Sequence, residues 1–244
     1  MPSSTSRIMH NDSFKFKQFD VSHGKCAMKV GTDGVLLGAW ANAYDDMPIL
    51  DVGTGSGIVA LMMAQRFHVN KIIAIDIDKD AVTQAQENFN NSPWNNRLYA
   101  IQDDFANSRL VEKYKFGTIV ANPPFFNEQV LAPDDKRCHA RSVNSLPTND
   151  LIRNMALLML EEATASIILP YDRTNETVAE AALNGLFLAR RTDVITKPGK
   201  MPKRSLLEFK KSIQQTNFSQ ITLNDNQNNR SNQYKNLTKD FYIH

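Results

Sequence analysis

Cysteine is scarce: Cys26 and Cys138 are the two in 244 residues, with no CxxC pair and no histidine-rich partner set, which argues against a disulfide framework and against a zinc site. No apolar run approaches the length that spans a bilayer, and the opening residues MPSSTSRIMHNDSF contain no apolar stretch of signal-peptide length. A soluble, cytoplasmic protein is therefore expected. Internal repeats are missing too. With 42% hydrophobic and 22% charged residues, the composition is that of an ordinary globular chain, long enough to bury a sizeable core.

Net charge is small, +2, but unevenly placed. Within Leu186–Lys211, eight basic residues (Arg190, Arg191, Lys197, Lys200, Lys203, Arg204, Lys210 and Lys211) face only Asp193 and Glu208. A field of that sign attracts a polyanion through phosphate contacts and counterion release, although a solvated basic loop reads the same way from charge alone.

Short runs rich in Ile, Val and Leu alternate with helical patterns. Pro48–Gly53, Lys71–Asp76, Arg97–Asp103, Phe116–Asn122 and Thr164–Pro170 have the composition of buried parallel strands. Between them, Ile58–Phe67 is an apolar helix opened by glycine, and Asp78 N-caps a helix whose Ala81, Val82, Ala85 and Phe89 share one face. Leu151, Met155, Leu158 and Met159 repeat at helical spacing, and Thr174–Asn184 is a helix stopped by Gly185. Strands and helices in this order predict a doubly wound α/β sheet. Two further strand-like runs, FLARRTDVIT and RSLLEFKK, leave no room for a crossover helix and predict an antiparallel C-terminal hairpin at the sheet edge, giving seven strands. One domain is expected over 1–244, with an N-terminal segment 1–45, a core 46–211 and a polar segment 212–244. From Gln214 to Asn236, Asn, Gln and Ser dominate, which predicts a mobile surface segment before the aromatics of NLTKDFYIH.

The first chemical motif is DVGTGSG, Asp51–Gly57, between a strand and a helix. Gly53, Gly55 and Gly57 allow close backbone approach to a ligand. Ile58 stands where a dinucleotide-binding GxGxxG needs glycine, and no GK[ST] follows, so neither a pyrophosphate cradle nor a nucleoside-triphosphate loop is indicated. Asp76 ends the second strand, where a carboxylate can accept from ribose hydroxyls; Asp103 and Asp104 end the third. The fourth strand ends in Asn122-Pro123-Pro124-Phe125. The prolines stiffen the backbone, aiming the Asn122 side chain and the Pro123 carbonyl, two acceptors for an exocyclic amine, while Phe125 offers a face on which a planar base can stack. No cysteine sits there, which argues against methylation of a cytosine carbon through a covalent intermediate.

DxGxGxG in this setting resembles motif I of the class I S-adenosylmethionine-dependent methyltransferases, and NPPF resembles motif IV of the amino-methyltransferases. Phe14–Ala41 (FKFKQFDVSHGKCAMKVGTDGVLLGAWA), with ENFNNSPWNNRL, RCHARS, KMPKRSLLEF and DFYIH, resembles the bacterial tRNA1(Val) adenine methyltransferase family over nearly the whole chain. The resemblance implies a Rossmann-like class I methyltransferase fold with helices on both faces of a mostly parallel sheet. It implies S-adenosylmethionine as cofactor, no metal, and methylation of the adenosine 3′ of the anticodon. Carried onto this chain, it places Lys29, Thr32, Asp33, Asp51, Gly53, Gly55, Gly57, Asp76 and Asp103 or Asp104 near the cofactor, and Asn122–Phe125 in the catalytic loop. Arg137, Arg141, Lys197, Lys200, Lys203 and Arg204 are expected to grip the anticodon stem-loop of a tRNA partner. Guanine amino methylation in ribosomal RNA and glutamine methylation in proteins share the NPPF signature and remain alternatives.

Overall fold

The computed structural model describes residues 12–26, 28–68, 71–108, 110, 113–124 and 146–243. An antiparallel ribbon, β1 (Ser13–Lys15) and β2 (Asp20–Ser22), leads into helix α1 (Thr32–Trp40). Then follow β3 (Ile49–Val52), α2 (Ile58–Arg66), β4 (Ile72–Asp76), α3 (Lys79–Asn90), β5 (Leu98–Gln102) and β6 (Phe116–Ala121). The second half contains α4 (Thr148–Leu158), β7 (Met159–Pro170), α5 (Thr174–Leu183), β8 (Phe187–Ile195), β9 (Arg204–Lys210), β10 (Asn217–Thr222) and α6 (Asn232–Thr238). Among the described residues no helix is long and apolar enough to cross a membrane.

The main sheet has the order β10-β8-β9-β7-β6-β3-β4-β5, and β9 alone runs against its neighbours. Alternate residues of the central strands enter cores on opposite faces: Ile72 and Ala74 join the side of α1, α2 and α3, while Ile73 and Ile75 join that of α4 and α5. Burial on both faces is why these strands read as unbroken apolar runs. β5 departs from that reading. It is an edge strand, with Tyr99 and Ile101 each 41% exposed.

The expected hairpin is β8–β9, but it is interior, because an eighth strand, β10, pairs in parallel with β8 from Asn217↔Arg190 to Thr222↔Ile195. β10 holds its place largely through its backbone: only Ile221 of its side chains is buried. The polar segment expected to be mobile is thus strand, turn and helix. Ser231 N-caps α6 by accepting from the Tyr234 N–H at 3.0 Å, and Tyr234 and Phe241 enter the core. The ribbon meets this segment: the Lys17 N–H donates to the Phe241 carbonyl at 2.8 Å, and Phe16 bridges Tyr242. Met159, grouped by spacing with the α4 residues, instead opens β7 directly.

Candidate active site

Strands β3, β4, β5 and β6 end on the same edge of the sheet, and their tips carry the residues singled out by sequence. After β3 the chain turns through Gly53 (φ 68°) and Gly55 (φ 54°), both left-handed, and a Cβ built on either meets nothing within 4 Å. The loop therefore borders open space, a cradle side chains would fill. Gly57 does something else: its Cβ would stand 2.5 Å from Cε1 of Phe89, so it is the seat of α3 against α2 rather than a ligand approach.

Two carboxylates hold the loop from beneath. Asp51 Oδ2 accepts from the Thr54 hydroxyl at 2.6 Å and from the Ala60 N–H at 3.2 Å in the first turn of α2. Asp76 accepts from the N–H groups of Gly55 (2.9 Å) and Asp78 (3.0 Å). Burial pushes the Asp51 carboxyl up to about 7, with the Asp76 charge adding to the rise, and burial raises Asp76 as well.

A pH dependence follows for Asp51. The folded carboxyl keeps its proton to about pH 7, while the unfolded chain releases it near 3.8. The folded state binds the extra proton in between, so this contribution to stability is full below about pH 4 and is lost as pH rises through 7. Asp51→Asn, neutral throughout, should flatten that decline in unfolding midpoints recorded from pH 4 to 8; parallel profiles for the two proteins would refute the assignment.

The two acidic residues after β5 separate. Asp104 spends both oxygens on a 3-10 turn, accepting from the Ala106 N–H at 3.1 Å and the Asn107 amide at 2.8 Å. Asp103 is tied to the β4 tip by its own N–H, which donates to the Asp76 carbonyl at 3.0 Å, and accepts from Ser108. Between these tips lies Ile77, 39% exposed, which sequence reasoning passed over. An exposed isoleucine directly after a strand-end aspartate was the available signal.

Asn122, Pro123 and Pro124 are half-buried at the tip of β6. Their neighbour is α1: a Cβ on Gly34 would lie 3.9 Å from Asn122 Nδ2 and 3.2 Å from Ile58 Cγ2. Phe125, Arg137 and Arg141 lie outside the described residues. Lys29 is exposed and Thr32 half-buried just ahead of Gly34. The preceding segment passes the β4 tip, where burial and then the charges of Asp76 and Asp78 push the Cys26 thiol up to about 12.

Asp33, expected at the cofactor, and Arg204, expected on RNA, pair with each other, Nε donating to Oδ2 at 2.8 Å. The basic run also divides. Arg190 lies over the Trp40 ring (3.7 Å to its centroid) and pairs with Glu208 at 2.7 Å; Arg191 pairs with Asp193 at 2.8 Å. Lys211 donates to the Met159 carbonyl at 3.0 Å. Lys197, Lys200 and Lys203 remain at the β8–β9 turn, on the sheet edge that carries Asn122.

The family model of the methyltransferase small domain matches residues 27–137. Among solved structures, a predicted O-methyltransferase from Agrobacterium tumefaciens superposes with a TM-score of 0.67 at 17% identity, covering 87% of this chain and 98% of its own, a likeness of fold. A relative from Bacteroides thetaiotaomicron named tRNA1(Val) (adenine(37)-N6)-methyltransferase is 42% identical over 237 residues, 97% of this chain and 99% of that one. A relative of the same name from Haemophilus influenzae is 42% identical over 231 residues, 94% and 98% of the two chains. Identity at this level over nearly the whole of both chains means that the chain belongs to the tRNA1(Val) (adenine(37)-N6)-methyltransferase family.

Proposed function

We propose that this protein methylates the exocyclic amine of the adenosine immediately 3′ of the anticodon in a valine tRNA, with S-adenosylmethionine as methyl donor. The observation that carries the reading is the juxtaposition of an open glycine cradle, flanked by strand-end carboxylates, with an acceptor-bearing Asn-Pro-Pro tip two strands from β4. When bound, S-adenosylmethionine supplies a methyl group on a positively charged sulfur. Gly53 and Gly55 would admit its amino-acid end, Asp76 would accept from the ribose hydroxyls, and Asp103, whose neighbour Asp104 is committed to its turn, would receive the adenine amine.

The protein's remaining task is to make a poor nucleophile competent. The amine's lone pair is delocalised into the purine ring. Acceptance of its two N–H bonds by the Asn122 side-chain oxygen and the Pro123 carbonyl favours a pyramidal nitrogen and directs the lone pair outward. The nitrogen would gain the methyl carbon as the carbon–sulfur bond breaks, the bonding pair staying on sulfur and S-adenosylhomocysteine leaving as a neutral thioether, and would then release a proton to solvent, so positioning and hydrogen bonding carry the catalysis. Lys197, Lys200 and Lys203 supply a charged face for the RNA backbone, and the target base, in a single-stranded loop, leaves its stack at lower cost than one in a duplex.

The test is methyl transfer from labelled S-adenosylmethionine to transcribed valine tRNA, beside the same tRNA with guanosine 3′ of the anticodon. Label is expected in the first alone. Equal labelling of both, or label only in ribosomal RNA or a release factor offered in parallel, would overturn the substrate assignment.

A further inference from the structure

Helix α3 turns three polar side chains toward the segment that connects the ribbon to α1. Asn88 and Gln84 are the most enclosed of them, each 4% exposed, and Asn88 makes the larger set of hydrogen bonds. Its Nδ2 donates to the carbonyls of Ser22 and Ser56, each at 2.8 Å, and its Oδ1 accepts from the Ser22 N–H at 3.0 Å. One turn earlier, Gln84 Oε1 accepts from the Lys25 N–H at 3.2 Å, and Glu87 pairs with the Lys25 ammonium at 2.5 Å.

These partners belong to two different walls. Ser56 is part of the glycine loop, whereas Ser22 is the root of the strap 22–26, whose Cys26 lies near the Asp76 tip, on the way to α1 beside Asn122. A buried amide that served only to satisfy its own helix would need neither contact. Asn88 instead joins two segments that have no strand or helix in common, and it fixes the distance between them with hydrogen bonds in a site shielded from water.

We infer that Asn88 is a positioning residue for cofactor binding: it holds the strap 22–26 against the glycine loop, so that the strap forms the outer wall of the cofactor cleft. The inference rests on the methyltransferase reading of that loop. Loss of the Asn88 amide lets the strap swing away, and cofactor binding must then supply the ordering.

The experiment compares the full chain with Asn88→Ala, Asn88→Asp and Gln65→Ala. Gln65 is likewise buried and donates to the Asp240 carbonyl at 2.8 Å, away from the glycine loop, so it controls for loss of a buried polar contact. S-adenosylmethionine affinity is read by calorimetry without tRNA, and kcat and both KM values by methyl transfer. Asn88→Ala should weaken cofactor affinity at least tenfold, with kcat at saturating cofactor and the KM for tRNA within threefold of wild type. Asn88→Asp keeps the acceptor for the Ser22 N–H but sets an oxygen against the Ser22 and Ser56 carbonyls, so it should weaken cofactor affinity at least as much as Asn88→Ala, and either variant carries the test should the other not fold. Gln65→Ala should leave cofactor affinity unchanged. Equal cofactor affinity in wild type and the Asn88 variants, whatever their melting points, would overturn the inference and leave the methyltransferase reading intact. A wild-type protein that bound no cofactor would overturn both.

Discussion

Replacing Asn122 by alanine is expected to lower kcat for methyl transfer by about 10²–10³-fold, the range seen when one preorganised hydrogen-bonding group is removed from a reacting centre. Affinities for cofactor and tRNA should change by no more than a few fold, because the interaction at issue gains its strength as the amine nitrogen changes shape. Asn122→Asp keeps an acceptor oxygen in place and should retain more activity than the alanine variant. The side chain is half-buried at the end of a strand whose six residues are all buried, so truncation there leaves the core packing untouched. A kcat within tenfold of wild type, or a tRNA affinity that falls in parallel with kcat, would remove Asn122 from the chemistry.

The second large effect separates two glycines that a motif treats alike. At Gly57 an added methyl meets Phe89 at 2.5 Å and the backbone has φ 82°. Overpacking costs about 1–3 kcal/mol and left-handed backbone roughly 1–2 kcal/mol more, so Gly57→Ala should lower the unfolding midpoint by roughly 5–15 °C. At Gly55 the same methyl meets nothing, and only the backbone term applies. Gly55→Ala should stay within a few degrees of wild type yet lose cofactor affinity by at least about tenfold, some 1.4 kcal/mol, because the methyl projects into the cradle. If both variants lost stability equally, or if Gly55→Ala bound the cofactor normally, the distinction between a seat for α3 and a floor for the ligand would be wrong.

That contrast also marks where the sequence stops being readable. The central strands were legible since both their faces are buried, as at Ile72–Ile75, and composition alone then records the burial. β10 was not. Its sequence NFSQIT carries one buried side chain, and backbone pairing to β8 leaves no hydrophobic period to detect. β5 read as buried for the converse reason: an edge strand can keep apolar residues such as Tyr99 and Ile101 half in water. The glycine loop and the Asn-Pro-Pro tip stood out because their residue patterns are local in the chain. The pairing of Asp33 with Arg204, 171 residues apart, has no local trace, and each residue alone resembled a ligand contact. Likewise the basic run looked like one surface until alternation along β8 and β9 sent Arg190 toward Trp40 and Arg191 toward Asp193.

The meeting of Lys17 with the last helix spans 222 residues of chain. At synthesis rates of about 5–20 residues per second, the early ribbon waits on the order of 10–45 s for that partner to be made. During that interval Phe16, which is buried in the finished protein, lacks the Tyr242 ring that stacks on it, whereas Phe19 already has Trp94 at 5.7 Å. The parallel sheet can assemble behind them as its strands emerge, but the ribbon, and the strap that hangs from it, are clamped at both ends only once Tyr242 has left the ribosome. A nascent chain stalled short of α6 therefore leaves Phe16 uncovered and the ribbon held on one side alone.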